Sequence, residues 1–404
     1  MTSPSGGTTN QRGLAGVLAA VAVALVVPAS VASAQTTDSV SAKDTKLLIT
    51  PFAAPGYTPE QGVLVTVGAL LSFRTKPIFK RESREAREMV QRSTVTLNGS
   101  YSTTGAITAN VKLSSYWAGD RLRVFTDFVF KDMPDHYWGV GYEAGKAPEG
   151  DSTTAYHRTS WTIAPKALWR LSPAIMVGPA FDFNYTNATE VSPGMAADPY
   201  YQEYGPKNQN SGIGGVFQYD TRDVAANAYR GVYVNAQVLS YGSLLGGDND
   251  YVIYDVDYRQ YVPLGRKGKT LAWTARGRWG TGSVPWAELS QLGGGNDVRG
   301  YRQGRYRDQI MAYWIVEYRH QFTSQTRESG LSRHGFVLFS SVGTVADETT
   351  DFGKLQILPG WGAGYRFEVQ PRMNVRVDLA FGREFLESGN KFVPSVYFNF
   401  TEAF

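Results

Sequence analysis

Strict two-residue alternation runs through this chain and leaves few folds open to it. Val95, Leu97, Gly99 and Tyr101 alternate with Thr94, Thr96, Asn98 and Ser100. Leu271, Trp273, Ala275, Gly277 and Trp279 alternate with Ala272, Thr274, Arg276 and Arg278. Val375, Val377, Leu379 and Phe381 alternate with Asn374, Arg376, Asp378 and Ala380, and the stretches 107–114 and 252–259 follow suit. Successive side chains of a β-strand point to opposite faces, so each run has one apolar or aromatic face and one polar, often charged face.

Soluble antiparallel sheets alternate in the same way, so the connections must discriminate. Strands are expected at 46–53, 62–74, 93–103, 106–117, 121–132, 156–170, 173–186, 212–220, 230–241, 250–263, 270–282, 309–322, 335–345, 360–369, 372–383 and 393–402. The first is included partly because a bacterial barrel takes an even strand count. Short connections at 118–120, 171–172, 265–269 and 370–371 then alternate with long ones at 133–155, 187–211, 283–308 and 346–359. Turns at one end and long loops at the other mark a transmembrane barrel, and a sandwich has no reason to sort its loops this way. Three longer connections, 75–92, 221–229 and 323–334, fall on the short side. The first mixes Lys80, Arg81, Arg84 and Arg87 with Glu82, Glu85 and Glu88, and reads as a solvated turn or a short ion-paired helix. The expected fold is all-β: a transmembrane antiparallel β-barrel of about sixteen strands.

Composition agrees. The 24 Tyr, 20 Phe and 9 Trp suit two interfacial belts. A cation facing lipid at the bilayer midplane costs roughly 2–4 kcal/mol, so Arg276, Arg278 and Arg376 belong to the inner wall. The absence of cysteine excludes disulfide frameworks, thiolate metal sites and cysteine nucleophiles. A net charge of +4 on 404 residues leaves no footprint for nucleic acid. Residues 1–34 have the form of a signal peptide: Arg12, an apolar run from Leu14 to Val27, and Ala32-Ser33-Ala34 before Gln35. That leaves 35–404 for the barrel and implies export by the secretory pathway to an outer membrane.

No catalytic constellation emerges, and no enzymatic activity, cofactor or metal is expected. Of the histidines, His136 and His157 fall at a long loop, and His320 and His334 near a turn. His157 with Ser160 is the one pairing a rim hydrolase could use, and it is a chance-level coincidence. Gly293-Gly-Gly295 lacks the Lys-Ser/Thr of a phosphate loop. Asp347, Glu348 and Asp351 read as a solvated acidic tip rather than a calcium site.

Two segments carry the functional reading. In Leu292–Asp308, three glycines precede Val298, Arg299, Gly300 and Tyr301, so the backbone can turn tightly and approach a wall closely. Arg299 is a permanently charged fork that needs an acidic partner if enclosed. At the end of the chain, Val396, Phe398, Phe400 and Phe404 share one face, with Glu402 its only polar member.

These residues resemble the BamA/TamA superfamily of outer-membrane barrels, and the likeness covers most of 35–404. Val298-Arg299-Gly300-Tyr301 resembles that family's lumen-loop motif, which implies that the sixth long loop folds back into the barrel. Gly56-Tyr57-Thr58-Pro59-Glu60-Gln61-Gly62, Tyr137-Trp138-Gly139-Val140-Gly141, Tyr219-Asp220-Thr221-Arg222-Asp223 with Arg230-Gly231, Glu317-Tyr318-Arg319, and Arg376–Gly382 resemble further family elements in the right order. The aromatic strand ending at Phe404 resembles the signal by which such barrels are recognised for assembly. Two departures stand out. Ser341 occupies the position where the family usually has the aspartate that receives the arginine, so Glu317, Asp378 or Asp255 is expected to take Arg299. Only about ten residues separate Gln35 from the first strand, too few for a POTRA domain. The resemblance implies a barrel that assists insertion, assembly or translocation of protein or lipid. Its implied partners are lipopolysaccharide, phospholipid and, during biogenesis, the barrel assembly machinery. The alternatives are a passive small-solute pore, or a structural barrel, a homodimer in one version, that remodels the bilayer.

Overall fold

The computed structural model describes residues 47–75, 92–348, 356–370, 372–386, 389–399 and 402–404. The signal-peptide segment, the charged residues of 80–88, Asp351 and Phe400 lie outside them.

Sixteen strands close into one antiparallel barrel. They are β1 (Leu48–Thr58), β2 (Gly62–Phe73), β3 (Ser93–Ser102), β4 (Ile107–Trp117), β5 (Leu122–His136), β6 (Ala155–Arg170), β7 (Ile175–Thr189), β8 (Lys207–Asp220), β9 (Gly231–Tyr241), β10 (Tyr251–Pro263) and β11 (Lys269–Gly282), then β14 (Ile310–Thr323), β15 (Leu331–Ala346), β16 (Leu358–Gln370), β17 (Met373–Leu386) and β18 (Gly389–Asn399). Between β11 and β14, β12 (Ser290–Leu292) pairs with β13 (Tyr306–Asp308) as a separate two-stranded ribbon. Three-residue strands are too short for alternation to reveal, so this ribbon has no counterpart in the sequence pattern.

The strand count and order match expectation, and the ends differ. β1, β5, β6 and β8 run further toward the long loops than expected, and β15 starts earlier. Pro55 of β1 and Pro134 of β5 sit within strands, at Pro55↔Val65 and Pro134↔His157. Proline lacks a donor, and it survives in a ladder only where its nitrogen is not asked for a hydrogen bond. β18 begins earlier than expected, at Gly389, and ends at Asn399.

Alternation separates the two faces as the sequence requires. Trp314, Leu338, Trp361 and Leu379 are exposed on the outside, while Ile315, Val337, Ala380 and Asp378 beside them are buried within. At the long-loop end, Trp286 is packed edge-on by Tyr137, Tyr156 and Tyr201 and donates from Nε1 to the Gly205 carbonyl at 2.9 Å. Buried aromatics in edge-to-face contact each add to area burial, so this knot fixes the start of the 283–309 connection.

Most neighbouring strands pair along their length; β10 and β11 run in register from Tyr251↔Gly282 to Pro263↔Thr270. The closing seam differs. Among the described residues β1 and β18 pair only at Tyr57↔Phe398. The long-loop end of β1 there meets the short-turn end of β18.

Candidate functional site: a charge clasp on the inner wall

Residues 293–305 are carried by the β12–β13 ribbon against the buried faces of β14 to β18. Glycine makes this approach possible on both sides. Gly300 has φ +109°, and a Cβ on it would lie 2.4 Å from the Gly382 nitrogen. A Cβ on Gly382 would lie 2.4 Å from the Gly300 oxygen, and one on Gly360 would lie 2.7 Å from the Arg299 oxygen. A Cβ on Gly343 would strike Leu292 and Val298. Loop backbone thus rests directly on strand backbone. Sequence reasoning missed this floor. Its signal was present: Gly360, Gly362 and Gly364 hold the inward positions of β16 while Trp361 and Tyr365 hold the outward ones.

The approach delivers Arg299 into a closed pocket. Arg299, Glu317 and Asp378 are all 0% exposed. Arg299 Nη1 donates to Asp378 Oδ2 at 2.8 Å, and Nη2 donates to Glu317 Oε1. The guanidinium stacks 3.5 Å from the centre of the Phe339 ring. The acids are shared. Asp378 also accepts from Arg366 at 2.5 Å and Arg376 at 3.4 Å, and Glu317 accepts from Arg319 at 2.8 Å. An enclosed charge network of this kind is a costly structure unless every member is paired, and removal of one member leaves the rest uncompensated. It therefore specifies one position for the loop more than it adds to net stability.

Neighbouring contacts fix the rest of the motif. Gly300 N donates to Tyr397 Oη at 3.1 Å, and that hydroxyl donates to the Tyr301 carbonyl at 3.2 Å. Tyr301 Oη donates to the Pro359 carbonyl at 2.8 Å. Val298 is buried with Leu292, Tyr306 and Leu358. Further along, Arg302 pairs with Glu149 at 2.7 Å and Gln303 N donates to Glu60 Oε1 at 3.0 Å, so the tip also touches two other loops.

Of the three acids expected for Arg299, Glu317 and Asp378 contact it. Asp255 does not: it belongs to β10, facing β11, where Arg276 takes it at 2.7 Å. Ser341 lies in the floor and donates to the Gly360 carbonyl at 3.1 Å, so the charge it lacks is supplied from the flanking strands. His157 Nε2 donates to Asp132 Oδ1 at 2.8 Å, and His157 stands an odd number of residues from Ser160 on one strand, hence on the opposite face. Among the described residues no cluster of His, Asp and Glu could hold a metal ion.

The last residues correct the expectation of a continuous aromatic face. Val396 and Phe398 lie on the outer face of β18, opposite Leu379 and Val377. Glu402 and Phe404 do not continue that face; both are buried inside the short-turn end. Glu402 shares the outward parity of Phe398, and a carboxylate has no partner in lipid, whereas inside it meets Arg366 at 2.9 Å and Asn374 at 2.7 Å.

A model of the Omp85 superfamily domain matches residues 92–400. Among solved structures, the chain superposes on BamA from Haemophilus ducreyi lacking POTRA domains 1–3 with a TM-score of 0.58 and 13% identity, covering 88% of this chain and 70% of that one. It is also similar to CdiB from Acinetobacter baumannii, with a TM-score of 0.53, 12% identity, and 88% and 60% coverage. CdiB from Escherichia coli gives 0.53, 9% identity, and 88% and 63% coverage. Identities this low speak for a shared barrel alone. No curated protein matches the chain.

Proposed function

The chain belongs to the Omp85 superfamily, and on that premise we propose that it assists the insertion, assembly or translocation of protein or lipid at the bacterial outer membrane. Barrels of this family reside in that membrane, and closure of the sheet lets every strand satisfy its backbone within lipid. The finer reading is ours. A client strand pairs transiently with an edge exposed at the seam, while residues 293–305 fill part of the lumen and brace the wall on the β18 side of that seam.

The observation that carries this is the seam. Strand edges are pairing templates, and natural sheets normally cover them. Here β1 and β18 share Tyr57↔Phe398 alone among the described residues, and β1 carries Pro51 and Pro55, which cannot donate. Export through the signal peptide, folding with help from the assembly machinery, and contact with lipopolysaccharide and phospholipid complete the proposal. The reading includes no catalytic role.

One feature favours a small-solute pore as the second reading. On β4 and β5 the cross-strand pair Lys112–Asp127 remains 64% and 43% exposed at its side chains, so part of the inner wall is wet. Planar-bilayer recording of the intact chain and of a deletion of 293–308 separates the two. Low conductance that rises on deletion supports a plugged assembly barrel; high, stable conductance unchanged by deletion supports the pore. A companion liposome assay scores insertion of a client barrel, and no acceleration there would overturn the proposed function.

A further inference from the structure

We propose that the outer face of β11, β14, β15 and β16, at the short-turn end, binds the headgroup of an anionic phospholipid. Its cations come from one turn. Leu264-Gly265-Arg266-Lys267-Gly268-Lys269 joins β10 to β11 and brings Arg266, Lys267 and Lys269 close together. Among the described residues these three have no carboxylate partner. By contrast, Arg123 and Arg170 pair with Asp120, Arg222 with Asp220 and Arg372 with Asp223 at the same end of the barrel. A turn whose cations are left unpaired presents a positive field to whatever lies beside it.

What lies beside it follows from parity. Lys269 stands opposite His320 in the ladder, and His320 opposite Phe336. Trp314, Leu338 and Trp361 are exposed on the outer face. His320, His334 and Tyr365 stand at even spacings from them on the same strands, so they too face outward. The rings form a lattice. Between ring centres, His320 lies 5.4 Å from Phe322 and 5.1 Å from Phe336, and His334 lies 5.3 Å from Phe367. Lys267 reaches toward the next turn: a Cβ on Gly330 would lie 3.5 Å from its Nζ. Aromatic rings collect where hydrocarbon meets headgroups, so the lattice sets the patch at that boundary. A lysine there lays its stem on apolar surface and keeps its ammonium among the headgroups.

The imidazoles add donors. His320 Nδ1 shares a hydrogen bond with Tyr318 Oη at 3.2 Å, and His334 Nδ1 shares one with Tyr365 Oη. With each hydroxyl donating, the ring proton stays on Nε2, which no described residue takes. Two ammonium groups and two neutral N–H donors thus face one boundary, and phosphodiester oxygens accept from all four. A phosphatidylcholine offers the same phosphate but carries its own cation, which the lysines repel, so a net-anionic headgroup is favoured. The site needs only that the barrel lies in a bilayer, and it stands or falls apart from the assembly role.

Native mass spectrometry of the full-length barrel in nonionic detergent tests this, with dioleoyl phosphatidylglycerol and dioleoyl phosphatidylcholine as probes. Their acyl chains are identical, so the ratio of first-lipid dissociation constants reads the headgroup. The unmodified chain should favour phosphatidylglycerol by about tenfold, and Lys267→Gln with Lys269→Gln should erase most of that preference. His320→Phe with His334→Phe should weaken both lipids by about the same few-fold factor, because the phosphate is common to them. Lys112→Gln, on the wet inner wall, removes a cation elsewhere and should leave the ratio unchanged. Heat-modifiable migration confirms that each variant is a folded barrel. A ratio near one in the unmodified chain overturns the proposal, as does an equal loss in Lys112→Gln, which would mean that net charge alone is read. Displacement of the lipid by millimolar inorganic phosphate would make the patch an ion site and overturn it too. So would binding of a polyglutamate peptide through the same lysines without any headgroup preference, since the patch would then dock acidic protein.

Discussion

The inner wall formed by β14 to β17 and the one formed by β3 to β6 have similar sequence patterns and opposite physical states. Both alternate apolar with polar residues, and both place charges inward. Against β14–β17 lies the loop, and Glu317, Arg376 and Asp378 are sealed from solvent. Along β4 and β5, Lys112 and Asp127 face each other at 3.7 Å with most of the lysine exposed. What separates them is a covering layer, made possible by glycine at the inward positions 343, 360 and 382. The same charges that a wet wall tolerates at little cost become, under a lid, a network in which each member depends on the others.

The most severe way to break the comparison is to remove one charge from each wall. Arg299→Ala leaves Glu317 and Asp378 buried beside fewer cations and should destabilise the barrel by about 3–5 kcal/mol. Lys112→Ala, at an exposed pair, should stay within about 0.5 kcal/mol. Midpoints of urea unfolding in detergent, read by heat-modifiable migration, compare them directly. Equal effects would mean that the loop does not seal the clasp.

A second pair of substitutions asks whether the glycine floor is the cause of the seal. Gly382→Ala forces a Cβ to 2.4 Å from the Gly300 oxygen, backbone against backbone, so loop or strand must shift. The expected loss is about 1–3 kcal/mol, with faster proteolysis of 293–305. Gly99→Ala on β3 meets nothing closer than 3.6 Å and should be neutral or slightly stabilising. If Gly382→Ala leaves the loop as protected as before, the close approach is not what holds it.

These contrasts bear on what the sequence could show. Alternation and loop sorting are local and repetitive, so the barrel, its strand order and the inward parity of Glu317, Asp378 and Arg376 were legible from residues 250–400. Parity also narrowed the partners of Arg299 to three, but it could not choose among them. That choice depends on depth: Asp255 lies on β10, within reach of Arg276, and the loop rests on β14–β17 instead. The ends of the strands were harder. Nothing local distinguishes a β18 that runs on to residue 402 from one that stops at Asn399. Glu402 was visible as the lone polar member of an aromatic face, and its conflict with lipid was the available clue. The socket that resolves the conflict is assembled from Tyr261, Ala272, Ile315, Arg319 and Arg366, residues on four different strands that no pattern in the chain brings together.

The smallest expected effect sharpens the comparison by titrating the covered side alone. Glu288 and Asp297 lie on the loop against a cavity of about 320 Å³ lined also by Arg276, Arg278, Gln291 and Tyr313. Burial pushes both carboxyls up, each to about 7, and the nearby Asp182 adds to the rise at Glu288. Asp297 Oδ1 is buried without a partner, consistent with a carboxyl that favours its neutral form. The sign follows from linkage. A carboxyl raised in the folded state binds its proton over a pH range where the unfolded chain has released it, so its contribution is complete below the ordinary carboxyl range and fades as pH rises through about 7. Loop order should therefore fall from pH 6 to pH 8, opposite in direction to the usual loss of ion-paired carboxylates in acid. Hydrogen exchange across 284–300 should quicken by a few-fold beyond the intrinsic pH effect over that interval. Glu288→Gln with Asp297→Asn should flatten the dependence, while exchange in β3 to β6 should show none in either protein. A loop that loosens toward acid instead would mean that these carboxyls are held as anions by Arg276 and Arg278, and that the covered wall is wetter than its geometry indicates.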